Sequence, residues 1–279
     1  MGGKNLKWAH GNLMWALGPR LTLLLACALP LPGAAAAGAA QKQHRPRDRG
    51  GVSLVLAVRA AGPQLERSVE RTAAVVESRC RRLRIYCNLQ RQAGGEANRL
   101  ALRFSAPKDA GRVKSILLAK GLELRAAVSP SFPTPLYEYS TRAEAAAVGG
   151  EGEVFALPGD HGETHVVLER ASILTGDDVR SCDVLTSKEG SGKYEVSCRL
   201  RPAGAARLKT WTGANIDRYV VTVFNGRALA AYHIMWPIEY NVVVSGGFDR
   251  RQAEDAAVIL EGGNLPTPVE LLEEGTYKP

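Results

Sequence analysis

The order of apolar patterns between residues 51 and 128 constrains this chain more than any other feature. Residues 52–58 are rich in Val and Leu, as a buried strand is. Leu65, Val69, Ala73, Val76, Cys80 and Leu83 then step by three and four after Pro63, the stripe of a core-facing helix that starts just past a proline. Ile85, Cys87 and Leu89 alternate, and beyond Gly94-Gly95 so do Leu100, Leu102 and Phe104, so the helix leads into a hairpin. Pro107 opens a second helical pattern carrying Val113, Ile116 and Leu117, which Gly121 stops. Leu122, Leu124 and Ala126 finish with a strand. The order β-α-β-β-α-β predicts a split βαβ, or ferredoxin-like, unit.

The same order returns further on. Residues 129–135 hold Pro130, Pro133 and Pro135, cannot extend a strand, and read as a linker or hinge. Residues 141–165 are rich in Ala, Gly and Glu and predict loop with one short helix. A strand over 194–200 is followed by Pro202 at a helix start, with Leu208 and Trp211 on that helix. Strands over 219–224 and 229–234 flank Asn225-Gly226, the strongest short hairpin signal. A strand over 241–244 leads to Asp249, which caps a helix with Gln252 three residues on, and Gly262-Gly263 ends it. Residues 269–273 supply the closing strand. The fold class is therefore α+β, with two linked βαββαβ units.

The N-terminus predicts export. Lys4, Lys7 and Arg20 precede or flank an apolar run over 21–31, followed by Pro32-Gly33 and an Ala/Gly tract to Ala40, with no acidic residue before that point. Those are the charged, apolar and small-residue zones of a secretory signal, with cleavage expected near Ala40. A spanning helix needs about 20 strongly apolar residues, and Pro30 and Pro32 interrupt this run. Leu24-Leu25-Ala26-Cys27 has a second reading, a lipoprotein signal in which Cys27 is lipidated; a stray apolar cysteine of the leader is the favoured one. Without residues 1–40 the chain loses three of its 36 basic residues and none of its 28 acidic ones, which leaves a net charge of +5. That charge is spread along the chain, without a basic block, and points away from nucleic acid. No later stretch approaches transmembrane length.

Cys80, Cys87, Cys182 and Cys198 make an even count in an exported chain, where disulfides form. Cys182 and Cys198 lie equally far from Gly190 in a predicted hairpin, where a cross-strand bridge and two free thiols stand about level. For Cys80 and Cys87 a bridge competes with two buried thiols. No Cys-x-x-Cys and no Cys-His spacing suited to zinc occurs, so redox catalysis and zinc binding are not expected.

Enzyme chemistry finds little support. His161 and His165 flank Glu163, but Gly162 spoils the helix on which an i, i+4 pair clamps a metal. Asp177-Asp178 fits a solvated turn or a helix cap better than an acid–base pair. No nucleophile elbow, phosphate loop or dinucleotide fingerprint is present. Phe104, the one aromatic that could stack a base on a central strand, alternates with core leucines. No cofactor is expected. Trp211, Tyr219, Phe224, Tyr232, Trp236 and Tyr240 crowd into thirty residues. Such a cluster is either ordinary core or an apolar groove or sheet edge for an extended polypeptide, with Trp236-Pro237 the pair expected to be exposed.

These residues resemble the soluble periplasmic domain of the protein-export subunit SecD. The likeness is carried by Asp48-Arg49-Gly50-Gly51-Val52, by residues 79–85, 90–92, 99–102 and 114–124, and by residues 173–179. It is most specific in Gly204-Ala205, Asn225-Gly226, Gly247-Phe248, Ala253 and the run from Gly262 to Val269, Gly-Gly-Asn-Leu-Pro-Thr-Pro-Val. The resemblance implies a base, residues 47–128 with 264–279, and an inserted head, residues 129–263. Pro130, Pro133 and Pro135 on one crossing, and Pro266 and Pro268 on the other, would form the hinge. That family continues into membrane helices whose ionisable groups are proposed to couple proton flow to export; its acidic residue at the hairpin turn is Asn225 here, and Ala230-Ala231-Tyr232 replaces a small-residue and proline stretch, so proton coupling carries over to no residue of this chain. The function implied is an extracytoplasmic, non-enzymatic module that holds unfolded or translocating polypeptide through Trp211, Tyr232, Trp236 and Tyr240. Sec translocon components are the expected partners, and membrane contact is expected only through an N-terminal anchor. The alternative is a structural or partner-docking envelope protein that keeps the fold without the export role.

Overall fold

The computed structural model describes residues 50–278 except 61, 93–97, 106–108, 160–161 and 188–191. The leader over 1–40 with Cys27, and Gly94-Gly95, Pro107, His161 and Gly190, lie outside the described residues. The chain is mixed α+β, with three antiparallel sheets and five α-helices among those residues.

The first sheet is built from β1 (Gly51–Val58), β2 (Cys87–Arg91), β3 (Arg99–Phe104) and β12 (Val269–Tyr277), in the order β12-β1-β3-β2. Alternation in β1 turns Val52, Leu54, Leu56 and Val58 inward, where Leu100, Leu102 and Phe104 of β3 meet them. Helices α1 (Leu65–Leu83) and α2 (Ala110–Leu117) cover this face with Val69, Val76, Cys80, Val113 and Leu117. Cys80 and Cys87 form a disulfide from the last turn of α1 to the start of β2. The buried face of α1 is wider than its apolar stripe, because Thr72, Val75 and Arg79 are buried as well.

The strand β4 (Leu122–Ala127) differs from expectation. It does not close the first sheet. It joins a five-stranded sheet ordered β10-β9-β4-β6-β5, with β5 (Glu153–Gly159), β6 (Gly162–Thr175), β9 (Tyr219–Phe224) and β10 (Arg227–His233), and β12 takes the edge place beside β1. The hairpin β5–β6 replaces the loop expected over 141–165, behind α3 (Arg142–Val148) with its Thr141–Glu144 capping box. This sheet is buried on both faces: Leu122, Leu124 and Val220 pack on one side, and Ala127, Val221, Val223 and Ala228 on the other. Strand β9 is accordingly a continuous apolar run with a single polar Thr222 inside it.

The third sheet, β11-β8-β7, comprises β7 (Val179–Thr186), β8 (Tyr194–Leu200) and β11 (Asn241–Phe248). Cys182 and Cys198 face each other across β7–β8 and are bridged. Helices α4 (Pro202–Ala214) and α5 (Arg250–Gly262) begin where their signals predict, α4 with Pro202 in its first turn and α5 at the Asp249–Gln252 capping box. The elements expected in the second half are thus present along the chain, with three strands between α4 and α5, but those strands and the closing β12 are divided among all three sheets. Strand pairing, a non-local choice, separated β9 and β10 from β8 and β11.

The passage between the first sheet and the rest is tied at one joint. Arg79 is fully buried; its Nη1 donates to the carbonyls of Ile116 (3.0 Å), Leu117 (3.0 Å) and Ala119 (2.7 Å), and its Nη2 to that of Gly263 (2.7 Å). One guanidinium therefore satisfies carbonyls at the C-terminal ends of α2 and α5. Asn264 completes the joint: Oδ1 accepts from Leu122 N (2.8 Å) and Gly176 N (3.0 Å), and Nδ2 donates to Leu122 O (2.7 Å). Gly121 has φ of +109°, and a Cβ there would sit 2.1 Å from Asn264 Oδ1, so both backbone and space require glycine.

Candidate functional site

Among the described residues the apolar features converge where β10 ends and β11 begins. The connector between them, Ile234 to Tyr240, reads Ile-Met-Trp-Pro-Ile-Glu-Tyr and has no strand of its own. Ile234 is 2% exposed and anchors one end by exchanging backbone bonds: its N–H donates to Arg218 O and its carbonyl accepts from Asp217 N. In the middle, the N–H of Ile238 donates to the buried Thr212 hydroxyl at 2.9 Å. With both points tied and Pro237 unable to donate, Met235 and Trp236 are turned outward, 59% and 62% exposed.

A cleft of about 250 Å³ lies beneath this connector. Tyr232, His233 and Ile234 form one wall and Asn241, Val242 and Val243 the other, with Trp236 and Ile238 above and Leu124, Val220 and Thr222 at the base. No carboxylate, lysine or arginine lines it. Thr222 is 1% exposed, and its hydroxyl has no hydrogen-bond partner in the structure. Tyr240, exposed beside the cleft, hydrogen-bonds Glu239, whose carboxylate also pairs with Lys209 at 2.8 Å. That bond and the neighbouring negative charge raise the Tyr240 phenol above its usual pKa, and Lys209 holds the Glu239 carboxyl below its own. The phenol is therefore neutral at physiological pH.

Of the four aromatics expected in a polypeptide site, Tyr232 and Trp236 line the cleft and Tyr240 borders it. Trp211 does not. It sits on α4, half-buried against the core, with the Arg218 guanidinium 5.8 Å from its ring centroid. Met235, Ile238, Val243 and Thr222 belong to the site without having been singled out in the sequence. An apolar run of five around a proline was the one available signal, and it does not show which members face out.

The hinge prolines divide. Pro266 and Pro268 lie between α5 and β12, on the passage into the first sheet. Pro130, Pro133 and Pro135 do not lie on a passage between sheets, because β4 before them and β5 after them share the five-stranded sheet. Their loop is fastened to that sheet's other strands: Phe132 stacks on His233 at 4.6 Å, its N–H donates to Asp217 O, and the Tyr219 hydroxyl donates to Thr134 O. The other candidate ligands have structural roles. His165 pairs through its backbone with Tyr139, and Asp178 caps a 3-10 turn through Thr175 N while pairing with Arg207 at 2.6 Å. Asp177 accepts from Asn264 N and pairs with Arg71. Among the described residues no group of three or more metal-ligating side chains occurs.

Fold and cleft together describe an α+β domain that presents an apolar seat between two sheets. Residues 153–267, which include the whole of that seat's connector, match the family model described as the SecDF P1 head subdomain. The chain is 30% identical over 113 residues to the protein translocase subunit SecD of Acidaminococcus fermentans, an alignment covering 40% of this chain and 27% of that one. It is 29% identical over 178 residues to SecD of Koribacter versatilis (61% and 32% of the two chains) and 26% identical over 229 residues to SecDF of Brucella abortus (81% and 28%). The chain thus spans about a third or less of the length of these relatives. Among solved structures, SecDF in its super-membrane-facing form superposes with a TM-score of 0.61 at 20% identity, over 85% of this chain and 32% of that one. A second, described as a membrane component SecDF that enhances protein export, gives 0.58 at 21% identity, over 79% of this chain and 98% of that one. The fold is that of these SecDF chains, and the resemblance to the SecD family read from the sequence is shown. Among the described residues no helix is long and apolar enough to cross a membrane.

Proposed function

We propose that this chain is an extracytoplasmic SecD-like module that transiently holds unfolded or translocating polypeptide and assists protein export. The observation that carries the reading is the exposed cluster of Tyr232, Met235, Trp236, Tyr240 and Val243 around a cleft lined by no carboxylate, lysine or arginine, within the stretch that matches the SecDF head. Large apolar side chains this exposed, gathered in one place, mark a surface that meets another apolar surface. The proposed partners are the polypeptide itself and components of the Sec machinery, since the relatives are translocase subunits. In this reading the first sheet with α1 and α2 is the base, the rest is the head, and Pro266 and Pro268 stiffen one connector between them. The leader over 1–40 would deliver the chain out of the cytoplasm, with Cys27 the lipidation point if an anchor is kept.

The test is binding of a permanently unfolded, reduced and alkylated protein against its folded counterpart. The unfolded form should bind and the folded form should not, and Trp236→Ala combined with Met235→Ala should weaken binding at least tenfold. Because both side chains are largely exposed, the stability of the variant should change by no more than about 0.5 kcal/mol. No affinity for unfolded chains, together with a folded protein that co-purifies, would favour the partner-docking alternative.

A further inference from the structure

Strands β10 and β11 belong to different sheets yet lie side by side at one end, where a Cβ on Gly246 would come within 3.1 Å of Leu229 Cδ1. Toward the other end they part, and the cleft opens between residues 232–234 and 241–243. Strand β11 pairs with β8 on one side, and among the described residues no strand pairs with its outer side. Its bonding direction is fixed by Leu200 N donating to Tyr240 O at 3.0 Å. In an antiparallel ladder, residues bond toward the neighbour alternately, so Tyr240, Val242 and Val244 turn to β8 while Asn241, Val243 and Ser245 present N–H and C=O to the open edge. Side chains alternate between the two faces of the sheet with the same period of two, so Val242 and Val244 are core residues, 8% and 0% exposed, while Val243 is 39% exposed.

We propose that the occupant is an extended, uncharged polypeptide segment that adds to the outer edge of β11 as a fourth strand and drops one apolar side chain into the cleft. This rests on the polypeptide-holding reading and specifies how the chain is held. Three features favour it over capture of a helix or a small amphiphile. The open backbone edge offers sequence-independent hydrogen bonds, which suits a module that must accept many segments. The cleft, at about 250 Å³, is smaller than the roughly 300–1,000 Å³ of pockets that enclose a small molecule, and matches one or two side chains. No carboxylate, lysine or arginine lines the cleft, and the His233 ring is engaged by Asp217 at 3.1 Å, so a charged residue entering it would lose its hydration without gaining a free partner, which selects neutral segments.

The experiment uses the full chain and a labelled ten-residue peptide of alternating leucine and serine, followed by fluorescence anisotropy. Two further versions carry N-methyl groups on alternate amides, one set in each phase of the strand, and a fourth replaces the central leucine by aspartate. Strand addition predicts that one N-methylated phase loses at least tenfold in affinity while the other stays within about twofold, since two net hydrogen bonds of about 0.5–1.5 kcal/mol each span that factor. The aspartate peptide should also lose at least tenfold. On the protein, Val243→Pro removes an N–H that faces the open edge and none from the β8 ladder, so it should weaken the parent peptide about tenfold while the protein stays folded by circular dichroism. Equal binding of both N-methylated phases overturns strand addition and leaves the polypeptide-holding reading standing. Failure of the parent peptide and of unfolded protein to bind overturns both.

Discussion

Replacing Arg79 by methionine keeps most of the side-chain stem and removes the donors that tie α2 to α5. Burial lowers the guanidinium pKa well below its ordinary value, to about 10, opposed by the nearby Asp177 carboxylate. At about 1.4 kcal/mol per pKa unit that burial costs roughly 3 kcal/mol. Because the folded-state pKa lies below the unfolded one, the cost is present at every pH below about 10 and fades only above it. Against it stand contacts with four carbonyls from a charged donor, which amount to about three full bonds because the two Nη1 hydrogens are shared among three carbonyls, each bond contributing about 2 kcal/mol. The variant recovers the burial cost and loses these bonds, so it should be destabilised by about 3 kcal/mol, with four carbonyls left short of a donor. In urea, where slopes run about 1–3 kcal/mol per molar, the midpoint should fall by about 1 M or more with an unchanged slope. Arg81→Met, two residues along α1 but with its side chain 72% exposed, is the control and should shift stability by less than about 0.5 kcal/mol. A midpoint for Arg79→Met equal to or above that of the parent would refute the reasoning, because the carbonyl bonds would then be worth no more than the burial they require.

Two further outcomes are expected at the same joint and in the third sheet. Gly121→Ala should cost more than about 1 kcal/mol, since it combines a positive φ with a clash on Asn264. Adding Asn264→Ala should recover the steric part and not the backbone part, so denaturation of the two single variants and the pair should be clearly non-additive. Cys182→Ser with Cys198→Ser opens a loop of 16 residues and should cost about 3 kcal/mol; unreduced peptide mapping of the parent should return a Cys182–Cys198 linked peptide, and a stability unchanged by the pair of substitutions would argue against a bridge.

Much of the local structure was legible in the sequence because it depends on neighbours along the chain. The α5 cap needs only Asp249 and Gln252, and both of their reciprocal bonds form. The turn at Asn225-Gly226 has positive φ at both residues, 50° and 79°, as a tight hairpin requires. The β5–β6 hairpin was missed although Val154, Phe155 and Leu157 are apolar, because glycines and glutamates dilute the pattern around them. The candidate site was half legible: Trp236 and Tyr232 could be singled out by type and position, but a tryptophan's exposure is not a property of its own segment. Trp211 is held against the core by packing and by Arg218, while Trp236 is turned out by bonds that Ile234 and Ile238 make to Arg218, Asp217 and Thr212.

The sequence alone therefore determined where the helices and most strands lie, and the succession of patterns over 51–128 that most constrains the chain. Tertiary structure decided which sheet each strand entered. The alternation of Leu122, Leu124 and Ala126 would suit either sheet, since it specifies one apolar face and no partner. The choice was made at a distance of more than 140 residues, where Asn264 holds the start of β4 against Gly176 and Arg79 draws the ends of α2 and α5 together. With β4 committed to the five-stranded sheet, the edge beside β1 was left for β12, and β10 and β11 were left on separate sheets with the cleft between them.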